Sequence, residues 1–207
     1  SDRNLKKIGI LENAYNISYE GRANELNSMS FSLPKNDPKN ELCTHFNFID
    51  AYGSSGRYYG KYRIMPKNTT MNESEEMIMY ECEHVLATLL DDVMLDYHQF
   101  TNFTTREVIE GILEQQEHWV LDRCDFERRF HYSFENENGL LAPILSIPKP
   151  FNEPYLFTFD TQTNPWKLNL IRPSDDVIWD IRWGRDMISF NEVSDPSEIV
   201  NRIYPKG

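Results

Sequence analysis

The sequence predicts a domain of the α+β class whose strands pair mainly in antiparallel fashion. Segments with a period of two, typical of strands with one buried face, occupy both ends of the chain, whereas the middle carries apolar residues at helical spacing. The regular alternation of strand and helix that marks a parallel, doubly wound sheet is missing. With 207 residues, the chain is long enough for one or two domains with a hydrophobic core.

Strand patterns dominate the first third of the chain. Residues Ser28–Leu33 alternate strictly between polar and apolar and stop at Pro34, which predicts a strand with one buried face. Residues 36–40 have the composition of a turn, and we expect a neighbouring strand over Ala14–Tyr19. The sequence Gly53–Gly56 between two apolar runs predicts a hairpin.

The middle of the chain predicts two helices. Between Val85 and Met94 the apolar residues recur at i, i+1, i+4, i+5, i+8 and i+9, which predicts an amphipathic helix with Asp91 and Asp92 on its solvated side. The sequence Thr104–Glu107 then matches a capping box, in which the first and fourth residues satisfy each other's backbone amides. This second helix is expected to end near Gln116.

Strand patterns resume after the second helix. The run Leu140–Ile147 is apolar, and its pattern leaves strand and helix both open. The expected strands are Phe126–Phe134, Tyr155–Phe159, Trp166–Leu170, Val177–Trp183, Ile188–Phe190 and Ile199–Tyr204.

Composition excludes several classes of protein. The chain has 21 basic and 33 acidic residues and a net charge of −12, whereas dedicated nucleic-acid readers present a basic face. The best apolar stretch, Val85–Leu95, is interrupted by two aspartates and is too short to span a membrane. Three widely spaced cysteines do not form a disulfide framework and fit synthesis in a reducing compartment.

The residue chemistry contains no recognisable catalytic set. Cys82 and His84 lie two apart with no further ligands nearby, whereas a structural zinc site needs four. The pair Cys124 and His131 is explained equally well by a core thiol and a surface imidazole, and Asp91 and Asp92 by a solvated face. We therefore name no catalytic, cofactor-binding or metal-binding residue and expect no cofactor. The negative result favours an interaction or structural protein.

The order of whole segments resembles a known family. The chain from about Ile8 to Gly207 is similar to the N-terminal, baseplate-hub region of phage minor structural proteins, also called tail-associated lysins or prophage endopeptidase tail proteins. The segments that carry the resemblance are Ile10–Tyr15, Asn27–Pro34, Gly60–Ile64, Tyr80–Leu86, Ile181–Ile188 and Ile199–Gly207.

This resemblance implies a mostly antiparallel, barrel-like hub domain with an inserted helix-containing subdomain. We expect the barrel strands over about 1–82 and 147–207 and the insertion over about 83–146. The family implies a homotrimer in the virion tail tip, made in the host bacterial cytoplasm. Its partners would be distal tail or tail-tube proteins and tail fibre or tip proteins, and DNA would pass through it without specific binding. An acidic wall would suit that passage, because it cannot capture phosphates.

The resemblance leaves alternatives open. The family's hub region continues beyond the point where this sequence ends, so we expect a piece of a longer protein, without the lytic module and without enzymatic activity. One alternative is a module that binds host-wall polysaccharide through exposed tryptophans and tyrosines. Another is a peptidoglycan hydrolase with acidic catalytic residues. Buried tryptophans favour the hub, and tryptophans exposed in one shallow groove favour the polysaccharide-binding module.

Overall fold

A computed structural model describes residues 1–71, 76–174 and 176. The chain divides into two compact units, Ser1–Pro173 and Ser174–Gly207, and the following description concerns the first. The strands expected over 177–183, 188–190 and 199–204 lie outside the described residues, as do the last two segments of the family resemblance.

A five-stranded antiparallel sheet forms the first half of the described chain. Its alternating strand is confirmed, with Met29, Phe31 and Leu33 buried. The expected hairpin is also confirmed, and Gly56 there adopts a φ of 79°, which glycine tolerates best. The spatial order is β1-β2-β5-β4-β3. The strands are β1 (Tyr15–Glu20), β2 (Ser28–Pro34), β3 (Phe48–Tyr52), β4 (Tyr58–Met71) and β5 (Glu76–His84).

This sheet is strongly curled. The ring of Tyr19 on β1 lies 5.7 Å from the ring of Tyr59 on β4, although β2 and β5 lie between those strands in the sheet. The sheet therefore bends into a half-barrel whose two edge strands, β1 and β3, approach each other. The expected turn at 36–40 leads into a 3₁₀ helix, Pro38–Leu42, whose first amides are capped by Asp37.

The helix predicted over Val85–Met94 is wrong in type and length. The chain forms a 3₁₀ helix over Val85–Leu90 and then enters strand β6 (Met94–Thr104). Four of the six residues of the 3₁₀ helix are buried, and three of them, Val85–Ala87, are consecutive, so the apolar run reflects burial on several sides and not one face of an α-helix. Asp91 consequently terminates the 3₁₀ helix and does not lie on a helical surface.

The capping box is confirmed at the start of helix α1 (Thr105–Leu113). The Glu107 amide donates to Thr104 Oγ1 over 3.3 Å, and the Thr104 amide donates to Glu107 Oε2 over 2.6 Å. The apolar stripe that follows, including Val108 and Ile112, is buried as the periodicity predicts. The helix ends three residues before the predicted Gln116.

The remaining elements form two smaller sheets. Strand β6 pairs with β8 in an antiparallel ribbon, and β10 pairs with β9 antiparallel and with β7 parallel. The ambiguous apolar run becomes the short helix α2. The elements are β7 (Trp119–Cys124), β8 (Arg129–Glu137), α2 (Leu141–Ser146), β9 (Leu156–Asp160) and β10 (Trp166–Ile171). Antiparallel pairing therefore predominates, as predicted, and β7–β10 is the parallel pair among the described strands.

Two apolar cores hold these elements together. The smaller core lies on the five-stranded sheet and includes Phe31 and Tyr80, whose rings stack 5.0 Å apart. The larger core is built mainly from residues after Val85 and reaches the sheet at Phe48. Within the described residues, no helix is long and apolar enough to cross a membrane.

Candidate assembly surface

The two residues considered as metal ligands are buried structural residues of the folded chain. His84 is buried at the end of β5, and its Nδ1 accepts a hydrogen bond from the Leu86 amide over 3.2 Å. Cys82 is buried in the smaller core, and this burial raises the pKa of its thiol to about 12. The described chain contains no group of three or more His, Cys, Asp or Glu side chains placed to hold a metal ion.

The candidate thiol nucleophile and its imidazole do not meet. Cys124 lies on β7 and its thiol donates to the Phe126 carbonyl, whereas His131 lies on β8, in a different sheet, beside Thr101. Burial raises the pKa of the Cys124 thiol. A thiol with a raised pKa is a poor nucleophile at neutral pH.

The pKa values of the shifted carboxyl groups described next are lowered, which makes these groups unsuited to acid catalysis. Hydrogen bonds from Arg172 and Arg128 lower the pKa of Glu153, and a hydrogen bond from Arg123 lowers that of Asp125. A general acid at neutral pH needs the opposite shift, which burial in an apolar pocket produces. These carboxylates therefore act as surface ion-pair partners.

Two of the four tryptophans belong to the described part of the chain, and both are in the core. Trp119 and Trp166 are each 2% exposed, and their rings meet edge to face 5.4 Å apart. They are not available to stack on a sugar. Trp179 and Trp183 lie outside the described residues.

Two networks of buried charge secure the five-stranded sheet to its surroundings. Arg63 on β4 forms ion pairs with Glu83 on β5 and with Asp91, just after the 3₁₀ helix. Lys61, also on β4, lies 2.5 Å from Asp50 on β3, and its amide donates to Thr161, which follows β9. Both networks are internally paired, so they hold the fold together and are not open binding sites.

A groove of about 400 Å³ lies between the two edges of the half-barrel. Ala14 and Ile17 line it from the β1 side, and β3 contributes all five of its residues. Met29, Phe31 and the edge residue Phe48 supply buried apolar surface, while Lys7 and residues 9–11 border the groove. Among the described strands, β1 has a neighbour on one side only, so its other side presents unpaired backbone amides and carbonyls, whereas Phe48 at the edge of β3 exchanges backbone hydrogen bonds with Ser1.

Large apolar side chains on this side of the molecule are exposed to solvent. Every residue of β1 is exposed, including Ile17 at 64%, and Ile10 beside it is 58% exposed. The one charged residue of β1 is Glu20 at its end. Soluble monomers usually protect a sheet edge with charges, prolines or a covering segment. An exposed, apolar, weakly charged edge is typical of a surface that contacts another chain.

Comparison with known proteins places the fold among tail proteins. No protein-family model matches the sequence, and no curated protein matches it. Similar solved structures include the c3393 protein of E. coli, a component of the type VI secretion system with structural similarity to the T4 bacteriophage tail proteins gp27 and gp5. Its TM-score is 0.51 at 10% identity, over 75% of this chain and 46% of that one. A tail protein from Neisseria meningitidis MC58 has a TM-score of 0.51 at 9% identity, over 70% of this chain and 41% of that one.

The fold of this chain is thus that of phage-type tail proteins. At these identities the likeness concerns the fold alone, and the chain spans less than half the length of either protein. The family resemblance drawn from the sequence agrees with it. The sequence segments, however, did not reveal the exposed β1 edge, because which strand lies at an edge depends on the order of strands in the sheet.

Proposed function

We propose that this chain is a structural component of a phage or prophage tail tip and catalyses no reaction. The observation that carries the proposal is the fold that it shares with tail proteins. The paired carboxylates and the buried tryptophans of the described residues support it, because they offer neither a general acid nor a sugar-stacking platform. Its location would be the virion tail, after synthesis in the bacterial cytoplasm.

In this proposal, three copies form a hub that joins the tail tube to the tip or fibre and controls the passage of DNA. The exposed edge of β1 supports an assembly role, because such an edge promotes contact with another chain. Distal tail or tail-tube proteins would bind on one side of the hub, and fibre or tip proteins on the other.

We also propose the division of the chain expected from its sequence, with barrel strands over about 1–82 and 147–207 and an insertion over about 83–146. The β6–β8 ribbon and both α-helices lie within the proposed insertion. Strand β7 inside it pairs with β10 outside it, so the insertion would share a sheet with the second set of strands.

The net charge of −12 supports passage of DNA without capture. An acidic channel wall repels phosphates over about one Debye length, roughly 8 Å at physiological salt. An image of the assembled ring at side-chain resolution tests this part of the proposal. A channel lined by lysine and arginine would contradict it.

Light scattering coupled to size exclusion, over a concentration series, tests the trimer. A mass of three chains is the expected result, because closed cyclic assembly is the geometry of a threefold hub. A single-chain mass at every concentration overturns the proposal that this chain forms the trimer. A cell-wall suspension that clears on addition of the chain would contradict the proposal that it has no catalytic activity.

A further inference from the structure

The described chain carries two exposed apolar surfaces flanked by opposite charges. We call the first the acceptor groove; it is the groove between β1 and β3, bordered by Lys7, Ile10 and Ile17. We call the second the acidic segment; it comprises residues 92–97, at the start of β6. Surfaces of this kind commonly mark contacts between proteins.

The acceptor groove offers an apolar surface, a basic side chain and a free strand edge. Ile10 and Ile17 are both more than half exposed at its border. The charged side chains that line it are Lys7 and Asp50, and Asp50 is already paired with Lys61. Lys7 forms no ion pair with the described residues, so the uncompensated charge at the groove is positive. The unpaired backbone amides and carbonyls of β1 are available to hydrogen-bond a partner.

The acidic segment has the complementary features. Val93, Leu95 and Tyr97 are between 50% and 64% exposed, whereas Met94 between them is fully buried and anchors the segment. Asp92 and Asp96 lie among these apolar side chains and form no ion pair with the described residues. Asp91, in contrast, is held by Arg63. The segment therefore presents apolar side chains at alternate positions with uncompensated negative charge between them.

The distribution of charge along the chain argues for a second copy as the partner. Residues 1–84 carry 10 basic and 12 acidic side chains and are nearly neutral, whereas residues 85–207 carry 11 basic and 21 acidic ones. Two copies with a net charge of −12 repel each other in most orientations. Placing the acidic segment of one copy at the acceptor groove of the next brings its aspartates near Lys7 while both apolar surfaces are buried.

We propose that the acidic segment of one copy docks in the acceptor groove of the next, beside the free edge of β1. This inference rests on the proposed function and specifies the surfaces that build the trimer. The two surfaces differ, so the contact is heterologous, and such contacts close into a ring when the rotation between copies permits. A contact between two β1 edges would instead be self-complementary and stop at a dimer.

Two matched variants test the assignment. Ile17 and Leu95 are equally exposed at 64%, so Ile17→Glu and Leu95→Glu disturb the folded chain to a similar small extent. Each variant alone is expected to be monomeric in light scattering at a concentration where the unmodified chain is trimeric. An equimolar mixture is expected to form a heterodimer, because one intact groove and one intact acidic segment remain. Val120→Glu, on the exposed side of β7, is the control that should keep the trimer.

The outcomes separate this inference from the proposed function. A trimer that persists in both Ile17→Glu and Leu95→Glu overturns the surfaces and leaves the trimer standing. Two monomeric variants that fail to associate when mixed overturn the head-to-tail arrangement. An unmodified chain that is dimeric overturns the ring, and one that is monomeric throughout overturns both the proposed trimer and the proposed contact. Circular dichroism of each variant, before mixing, confirms that a lost trimer is not a lost fold.

A second set of variants tests how much the charges of Asp96 and Lys7 contribute to trimer formation. Asp96 adopts a φ of 65°, a conformation that asparagine also tolerates, so Asp96→Asn removes the charge without straining the backbone. This variant and Lys7→Gln should each weaken trimer formation and reduce its sensitivity to added salt. Glu127→Gln, on an exposed residue outside both surfaces, should change neither property. Unchanged salt dependence in both variants would overturn the electrostatic part of the inference.

Discussion

The five-stranded sheet and the region that follows it differ in the kinds of side chain that they bury. The sheet has a small core and relies on buried charge, since Lys61 and Arg63 are each 8% exposed. The following region has a larger core centred on two tryptophans. The sheet also leaves an edge strand fully exposed. The difference indicates that the second region depends mainly on its apolar core, whereas the sheet combines a small core with internal ion pairs.

The largest expected effect on the free energy of unfolding comes from removing one tryptophan side chain from the larger core. Trp166→Ala should lower the free energy of unfolding by about 3–5 kcal/mol, because the side chain is almost completely buried and its removal leaves a cavity. Urea unfolding followed by circular dichroism measures this value. A loss below about 1 kcal/mol would show that the second region does not depend on this core.

A pair of conservative variants sharpens that measurement. Trp119 Nε1 donates to Thr88 Oγ1 over 3.1 Å, whereas Trp166 Nε1 has no hydrogen-bond acceptor among the described residues. Trp119→Phe should therefore cost about 1 kcal/mol more than Trp166→Phe, the typical contribution of one hydrogen bond. Equal costs would mean that packing alone determines the stability at both positions.

The next effect is a pH dependence of stability that arises from His84, at the junction of the two regions. Burial lowers the pKa of His84 from 6.5 to about 4, so the folded chain binds this proton less readily than the unfolded chain. The stability that depends on neutral His84 is therefore complete above pH 6.5 and is lost as the pH falls towards 4. The loss amounts to about 3 kcal/mol. Urea unfolding across this pH range measures it.

A variant separates His84 from the carboxylates that also titrate in acid. His84→Phe retains an aromatic ring beside Tyr62 and Phe159 but cannot be protonated. The difference in unfolding free energy between the two proteins should change by about 3 kcal/mol between pH 7 and pH 4. A difference that stays constant would contradict the assigned shift. His131→Phe, at an exposed position, is the control and should leave the pH dependence nearly unchanged.

The smallest of the three effects tests the buried charge of the sheet. Arg63→Met should destabilise the fold by about 2 kcal/mol, less than for a fully buried pair, because Asp91 is still half exposed to solvent. Arg106→Met removes an exposed pair with Glu110 on α1 and should cost at most about 0.5 kcal/mol. Similar values for both would show that the network at Arg63 contributes no more than a surface ion pair.

Predictions from local sequence were confirmed where local contacts determine the structure. The capping box at Thr104 depends on atoms within four residues, and the strand Ser28–Pro34 depends on a simple alternation. The helix expected over Val85–Met94 was wrong because its apolar residues are buried by distant parts of the chain, including Trp119, whose indole reaches Thr88. The pattern records that these residues are buried, but it does not record which partner covers them.

The same limit applies to the candidate assembly surface. Ile17 lies in a predicted strand and Leu95 directly follows the predicted helix, and nothing in the sequence marks either apolar residue as exposed. Only the order of strands places β1 at an edge, and only the packed structure buries Met94 and leaves its neighbour Leu95 exposed. The exposed fraction of a side chain is a property of the packed chain.

The sequence by itself determined the α+β class, the predominance of antiparallel strands, the first residue of helix α1 and the likeness to phage tail proteins. These follow from periodicity, turn chemistry and the order of segments, all of which are local or linear. The tertiary structure alone decided the curl of the five-stranded sheet, the parallel pairing of β7 with β10 and the burial of His84. The physical reason is that contacts between residues far apart in the chain are selected by the packing of the whole core, which no local pattern encodes.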